Sequence, residues 1–271
     1  DFDKDAENFI YASGINNPAN LNVDGLYTSE QAMYAVNYLV SGLKSIKDTG
    51  QSTSAWDRSK NVGMLHPFVG GNSSQHALNL FNPSTRILTF EIGGTGTPNH
   101  NGYGWKLGRA ISDLLHNDSF QNNITVIMSL SEPTTSNDVA EISSFWDGSS
   151  ITLAGLNTTF RFDNQIGIRG QAGTSQIFRS FGKNVGSAAI NYQGGFSTFS
   201  FNGNNAIISG SINISVGTSL NSFRYGETSP TSSSSNSRKS MLGVLPFLTP
   251  VELMQLTKLM DGFQTLLNRK V

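Results

Sequence analysis

The chain has 271 residues, with 18 Lys and Arg against 19 Asp and Glu and a formal net charge of −1. Charged residues make up only 14% of it, so nucleic acid is not an expected partner, because no basic field is available to hold a phosphate backbone. Cysteine is absent, which excludes disulfides, thiol nucleophiles and cysteine-ligated metals, and no apolar run approaches the roughly 20 residues of a membrane helix.

Three segments show the spacing of helices. The first follows Thr28, which is expected to form a capping box with Gln31, and the last begins at the N-cap Thr249 with Glu252 three residues on. A weaker apolar pattern predicts a third helix from Trp105 to Leu115. The stripes of the two stronger helices are formed by Ala32, Val36, Leu39, Val40, Leu43 and Ile46, and by Leu253, Leu256, Leu259, Met260, Phe263, Leu266 and Leu267.

The segments between these helices have the character of β-strands. The runs 86–92 and 124–128 are apolar enough for central strands, whereas 159–162, 165–168 and 176–181 alternate with period two, as half-buried strands do. The clearest hairpin joins Ser197–Phe201 to Ala206–Ile208 through Asn202-Gly203, because Asn-Gly supplies the positive φ angles of a tight turn.

Many short strands separated by Gly, Asn and Ser turns predict a mainly β fold, an antiparallel sandwich with flanking N- and C-terminal α-helices. A stacked β-helix is the rival, but the chain has no fixed repeat period. We expect an N-terminal helical segment at 1–60, a β-sandwich at 61–248 and an amphipathic helix at 249–271. The low-complexity stretch 229–237 is expected to separate the β body from Met241–Phe247 and the last helix.

The usual patterns of catalytic and metal sites are missing. His66, His76, His100 and His116 have no metal-ligand spacing, and no Gly-x-Ser-x-Gly elbow occurs. Glycoside hydrolysis commonly needs two carboxyl groups flanking the scissile bond, and none of the predicted strands carries such a pair on one face. Asp138, Glu141 and Asp147 fall at odd offsets across a predicted turn. We therefore expect no enzyme, no catalytic residue and no metal ligand.

The loop 98–105 combines neutral amides with aromatic rings. Sugars are held by hydrogen bonds to such amides and by stacking on aromatic faces. Ser, Thr and Asn number 84 in the chain, so its polar surface is largely uncharged. The candidate ligand-binding residues are Asn99, His100, Asn101, Tyr103 and Trp105. The alternative is that Tyr103 and Trp105 only anchor the turn in the core, and the same two interpretations apply to Trp146-Asp147-Gly148.

Several stretches resemble a known family. The hairpin at 200–208 resembles that of concanavalin A-like, laminin-G-like jelly rolls. Three further stretches look like a module of bacteriophage virion proteins: His66–Gly71 with His76–Leu80, Pro98–Tyr103, and Phe263–Val271. The resemblance implies a concanavalin A-like jelly roll and no particular catalytic residue.

On this basis the chain is expected to be a bacteriophage virion structural protein, a capsid- or tail-surface component that serves assembly and host-surface attachment. The implied location is the surface of the virion, and the implied partners are other virion proteins, further copies of the chain and a host surface glycan. No cofactor is expected, although structural calcium stays open. The alternatives are a glycan-binding lectin-like module and a polysaccharide depolymerase, for which Glu91 and Glu141 would be the carboxylates to test.

Overall fold

The computed structural model describes residues 1–92, 96–113, 123–133, 142–146, 157–160, 165–169, 176–183, 185–193, 196–204, 207–211, 222–225 and 236–269. The helices are α1 Lys4–Ser13, α2 Pro18–Leu21, α3 Ser29–Ser45, α4 Ala55–Ser59, α5 Ser73–His76 and α6 Pro250–Leu266. The strands are β1 Met64–His66, β2 Leu88–Glu91, β3 Asn99–Asn101, β4 Gly104–Lys106, β5 Arg109–Asp113, β6 Asn123–Glu132, β7 Ile142–Trp146, β8 Asn157–Phe160, β9 Gln165–Arg169, β10 Gln176–Ser180, β11 Gly186–Gln193, β12 Phe196–Phe201, β13 Ile207–Ser211, β14 Ser222–Tyr225 and β15 Arg238–Pro246.

The strands form two antiparallel sheets. One has the order β13-β12-β11-β6-β15-β4-β3, with β1 also paired to β15, and the other has the order β10-β9-β8-β7-β14-β5-β2. These sheets, together with the helices at 4–59 and 250–266, confirm the predicted antiparallel β-sandwich with helices. The jelly-roll order stays an expectation from the resemblance.

The eight-stranded sheet is the middle of three layers. On one face, Ile127 and Met241 pack with the apolar sides of α1, α3, α4 and α6. On the other face, Val126 and Leu242 pack against Leu88, Ala110 and Ile166 of the seven-stranded sheet. Because β6 and β15 are covered on both sides, their side chains are buried almost throughout, without the alternation of a half-exposed strand.

The two strong helices are confirmed with their caps. Thr28 and Gln31 form the capping box of α3, and Thr249 and Glu252 form that of α6. The Asn-Gly turn is also confirmed: Asn202 and Gly203 have φ of 48° and 73°, and the N–H of Asn204 bonds to the carbonyl of Phe201 at 2.9 Å. The central position predicted for 124–128 is confirmed, because β6 lies between β11 and β15.

Three sequence predictions are wrong. Trp105–Leu115 is not a helix over its described part but the strands β4 and β5, joined where Leu107 and Gly108 both take a positive φ that ends any helix. The run 86–92 is not central, since β2 lies at one end of its described sheet with Ile87 and Ile92 exposed. Finally, 241–247 is not separated from the β body, as the role expected of 229–237 required: most of it lies in β15, inside the larger sheet and within the range 61–248 predicted for the sandwich.

Among the described residues, no helix combines the length and the apolarity needed to cross a bilayer.

Candidate functional site

Four polar residues stand side by side across four strands of the eight-stranded sheet. Asn99 of β3 pairs with Lys106 of β4, Lys106 with Arg238 of β15, and Arg238 with Glu132 of β6. Directly opposite residues of paired strands project to the same face. Asn99, Lys106, Arg238 and Glu132 therefore form one continuous row, called here the polar row.

Arg238 connects the members of the polar row. Its Nε donates to Oε1 of Glu132 at 2.7 Å, its Nη2 to Oδ1 of Asn99 at 3.2 Å, and its Nη1 to Oδ1 of Asn101 at 3.0 Å. Nη1 also lies 3.3 Å from the carbonyl oxygen of Gly104. One nearly buried guanidinium thus orients two amides and a carboxylate at the surface of the sheet.

Glu132 is held from two sides and stays ionised. Lys106 and Arg238 both form ion pairs with its carboxylate. Burial raises the pKa of the Glu132 carboxyl, but the hydrogen bonds and charges of Lys106 and Arg238 outweigh that effect, so the pKa lies below its usual value. The row therefore presents a fixed acceptor beside the amide groups, which can donate.

Tyr103 lies at the turn between β3 and β4, next to Asn101 and Ser131. Its backbone N–H donates to Oδ1 of Asn101 at 2.9 Å, and its carbonyl oxygen accepts from the hydroxyl of Ser131 at 3.1 Å. The side chain is 43% exposed. The exposed aromatic side chain of Tyr103 is therefore carried by a backbone that is fixed at both ends.

The structure divides the predicted glycan loop into two faces. Asn99 and Asn101 lie on the face of the polar row, whereas His100 and Trp105 project from the other face, because successive side chains on a strand alternate. Trp105 is 0% exposed, and its ring centroid lies 5.4 Å from that of Phe90. Its predicted contact with a ligand is therefore corrected: Trp105 anchors the hairpin in the core, as the alternative interpretation has it.

His100 forms a hydrogen-bonded pair with His76. The two Nδ1 atoms are 2.9 Å apart, and Nε2 of His76 lies 2.9 Å from the carbonyl oxygen of Gly70. A carbonyl requires a donor, so His76 carries its proton on Nε2 and accepts from Nδ1–H of His100. Burial is the main cause that lowers the pKa of His100 to about 4 and that of His76 well below its usual value, so the pair is neutral near pH 7.

Arg269 supports the hairpin from beneath. Its Nε donates to the carbonyl oxygen of Gly102 at 2.7 Å, at the turn that carries Tyr103. Its Nη atoms reach the carbonyl oxygens of Phe68 and Ser240, the side-chain oxygen of Gln264 and the hydroxyl of Tyr27. All five acceptors are neutral and Arg269 is 0% exposed, so the guanidinium joins the hairpin to the helix layer.

Sequence reasoning finds half of this site. Asn99, Asn101 and Tyr103 follow from the composition of the loop, but Arg238, Glu132 and Lys106 do not. Arg238 lies 106 residues from Glu132 and 139 from Asn99, and no local pattern encodes a contact of that range. The only local sign at Arg238 is a basic pair that ends a Ser-rich stretch.

Other candidates lie elsewhere. Glu91 pairs with Arg109 at the end of β2. His116, Asp138, Glu141, Asp147, Gly148 and the stretch 229–235 fall outside the described residues, as does the side chain of Trp146. Within the described part of the chain, no three His, Asp or Glu side chains are grouped so that they could hold a metal ion.

Comparison with known proteins shows which solved structures share the fold of this chain. No family model matches the chain, and no curated protein matches it. Trypanosoma rangeli sialidase is similar, with a TM-score of 0.53 at 12% identity over 86% of this chain and 38% of that one. A mutant of that sialidase displaying trans-sialidase activity has a TM-score of 0.53 at 8% identity over 88% and 39%. The CBM40 of Ruminococcus gnavus IT-sialidase, bound to α2,3-sialyllactose, reaches a TM-score of only 0.39 at 12% identity over 51% and 84%.

The expectation that the chain is not an enzyme is contradicted by the likeness to the T. rangeli sialidases, because sialidases are glycoside hydrolases. The expectation depended on a missing pair of strand carboxylates. Sialidases use a tyrosine nucleophile, so a missing pair does not exclude this class of hydrolase.

The likeness establishes the β-sandwich alone, since the identities are low. The chain spans about two fifths of the length of the T. rangeli sialidase chains that it resembles. The structures named here are not bacteriophage proteins, so the virion role stays a prediction from the sequence.

Proposed function

We propose that this protein binds carbohydrate at the face formed by the polar row and Tyr103. The observation that carries the proposal is the contact of Arg238 with Asn99, Asn101 and Glu132, which holds three planar polar groups in place before any ligand arrives. Groups that are already ordered lose little conformational entropy when a ligand binds. This gain in affinity matters most for hydroxyl-rich ligands, which bind weakly.

The chemistry of this face matches a sugar. Hydroxyl groups both donate and accept, and the face offers amides that donate and a carboxylate that accepts. Tyr103 adds an exposed ring, on which the apolar face of a sugar ring can stack. The fold is similar to that of sialidases, and this analogy of fold also supports a carbohydrate ligand.

The virion role is compatible with this proposal but independent of it. Attachment to a host surface would use the glycan face, and the predicted surface location, homo-oligomer and jelly-roll order go with that role. Glycan binding is the property to test first.

A glycan array read with the wild type and two variants tests the proposal. Asn99→Ala removes one amide, and Tyr103→Ala removes the ring. We expect each to weaken binding by about tenfold, the effect of one lost hydrogen bond or stacking contact of roughly 1.4 kcal/mol. Asn8→Ala, an exposed asparagine on α1, is the matched control and should bind as the wild type does.

Trp105→Ala is not a useful variant, because Trp105 is buried and its truncation would damage the core. Unchanged binding by Asn99→Ala and Tyr103→Ala, or no bound glycan at all, would overturn the proposal. Release of free sugar from bound glycans, assayed in parallel, separates hydrolysis from binding.

A further inference from the structure

A second aromatic surface lies on the helix layer. A groove of about 700 Å³ runs between α3 and α6, which is within the usual size of ligand sites. On the α3 side it is lined by Gln31, Tyr34, Asn37, Tyr38, Ser41 and Ser45. Leu266 of α6 closes the other side and is 40% exposed.

Two tyrosines dominate this groove. Tyr34 and Tyr38 are 54% and 41% exposed, although both are large rings. They are four residues apart on α3, so they stand on the same helix face, about 6 Å apart along the axis. The Tyr34 ring is steadied by Phe2 in an edge-to-face contact at 5.4 Å.

Two glycines determine how closely α3 and α6 pack beside the groove. A Cβ on Gly42 would lie 2.2 Å from Cδ1 of Leu259, so α3 and α6 can approach this closely only without a side chain there. A Cβ on Gly262 would lie 2.5 Å from the hydroxyl oxygen of Tyr38, so the Tyr38 hydroxyl lies over bare backbone of α6. The position of the Tyr38 ring therefore depends on Gly262.

The described residues that line the groove are uncharged. None of them is Asp, Glu, Lys, Arg or His, and their polar groups are amides and hydroxyls. Oδ1 of Asn37 accepts from the backbone N–H of Asp3 at 2.7 Å. The amide nitrogen of Asn37 is a hydrogen-bond donor. A charged ligand would lose its hydration here without gaining a partner ion among the described lining residues.

We propose that this groove is a second binding site, which takes the ring of a neutral hexose. Two exposed tyrosine rings, neutral donors and acceptors, and described lining residues without charge are the features that recognise an uncharged sugar ring. A second copy of the chain fits less well, because Tyr34, Tyr38 and Leu266 are the only large exposed apolar side chains among the described residues that line the groove. That patch is far smaller than the roughly 800 Å² per partner of a stable interface.

The site is separate from the polar row, so it stands or falls independently of the proposed function. The groove belongs to α3 and α6, whereas the polar row belongs to β3, β4, β6 and β15. A glycan that contacted both sites would bind more tightly than it does to either site alone, because the second contact forms within the same complex.

Titration of protein with ¹³C-labelled tyrosine tests the site. The probes are methyl α-D-glucopyranoside, methyl α-D-mannopyranoside and methyl β-D-galactopyranoside, each raised to about 50 mM because single sugar sites are weak. We expect at least one probe to shift the ring resonances of Tyr34 and Tyr38 saturably. Glucuronic acid, which has the same ring with a carboxylate, should bind about tenfold more weakly.

Three variants locate the binding. Tyr38→Ala should weaken it by roughly tenfold, and Gly262→Ala by roughly threefold because the new methyl group displaces the Tyr38 hydroxyl. Gly262→Ala places the better helix former in α6, so it keeps the test informative if Tyr38→Ala fails to fold. Tyr11→Ala is the matched control, since Tyr11 is 69% exposed on α1 and lies outside the groove.

The proposal is overturned if no neutral probe shifts Tyr34 and Tyr38, if glucuronic acid binds equally well, or if Tyr11→Ala weakens binding as much as Tyr38→Ala. A dimer in sedimentation that Tyr38→Ala dissociates would make a second copy the occupant instead. On the glycan array, loss with Tyr38→Ala but not with Asn99→Ala supports the groove and contradicts the polar row, and the reverse pattern does the opposite.

Discussion

At the scale of single residues, three histidines with lowered pKa, of which His66 and His76 are buried and His100 is partly buried, make stability depend on pH. Burial lowers the pKa of His66 to about 3 and is the main cause that lowers that of His100 to about 4 and that of His76 well below its usual value. Their ordinary pKa is 6.5, so between that value and about 4 the unfolded chain binds protons that the folded chain excludes.

We therefore expect the free energy of unfolding to be at its full value above pH 6.5 and to fall as the pH drops towards 4. Each histidine that stays neutral contributes a loss of up to about 1.4 kcal/mol per pH unit. Urea unfolding between about pH 7.5 and pH 4.5 measures this slope. The carboxyl groups with lowered pKa, Asp3, Asp57 and Glu132, act in the same direction but at lower pH.

His66→Asn should reduce the slope, because Asn keeps a donor near the position of Nδ1, which bonds to the carbonyl of Leu78, but does not titrate. A stability that stays flat through this window would contradict the prediction, and so would an unchanged slope in the variant.

Single residues also show where the residue type alone does not predict contact with a ligand. A loop of amides and aromatic rings predicts sugar contact equally for Tyr103 and Trp105, yet one ring is half-exposed and the other is buried. Their difference follows from strand alternation, which becomes visible only when 99–101 and 104–106 are known to be paired strands.

At the scale of elements, the N-terminus of α6 combines a cap with a buried ion pair. Glu252 is fully buried and accepts from the backbone N–H of Thr249 at 2.9 Å and of Asp48 at 3.2 Å. Its Oε1 also pairs with Arg58 of α4. One carboxylate thus fastens α6 to α4 and to the connection that follows α3.

Thr249→Ala should lower the free energy of unfolding by about 1 kcal/mol, the usual effect of a lost N-cap. Glu252→Gln keeps the capping box but removes the charge, and should cost more, about 2–3 kcal/mol, because Arg58 is left without its partner. Chemical denaturation measures both. The exposed pair Lys60–Asp57 provides the control, since Lys60→Met should cause no resolvable change. Equal losses for Thr249→Ala and Glu252→Gln would contradict the role of the ion pair.

The sequence predicts best those elements whose structure depends on residues that are close together in the chain. The caps at Thr28 and Thr249 and the turn at Asn202-Gly203 depend on neighbours within four residues, and all three are confirmed. The segment 105–113 fails for the opposite reason. The apolar residues of two short strands happen to fall at helical spacing, and the turn between them begins at Leu107, a residue type that rarely takes a positive φ, before Gly108.

At the scale of the whole molecule, the eight-stranded sheet links two cores. Ile127 and Met241 belong to the core beneath the helices, while Val126 and Leu242 on the same strands belong to the core between the sheets. Neither core can open without disturbing β6 and β15, so we expect the two to unfold together.

Denaturation followed by two probes tests this coupling. Trp105 reports on the core between the sheets and is isolated in the variant Trp56→Phe/Trp146→Phe. Far-UV circular dichroism near the helix minimum follows the helix layer. Both signals should share one midpoint and one slope. Two separated transitions would show that the helix layer unfolds on its own.

The arrangement of the layers could be predicted only in outline. Alternating strands indicate a sandwich, but β15 is buried on both faces and therefore lacks the alternation that identifies a strand. Its true neighbours, β6, β4 and β1, come from three distant parts of the chain. Local patterns do not record such pairings, and the polar row, which depends on them, could not be predicted.

The polar row also has a consequence for how the sheet is assembled. Hydrogen bonding shifts twice along β15, between Arg238 and Lys239 and again before Met241. A slip of one residue would turn every side chain of that strand to the other face, bringing Arg238 into the apolar core and Lys239 out of it. The contacts of Arg238 with Asn99 and Glu132 form only in the correct alignment. They therefore stabilise the correct register of four strands relative to the pairing that is shifted by one residue.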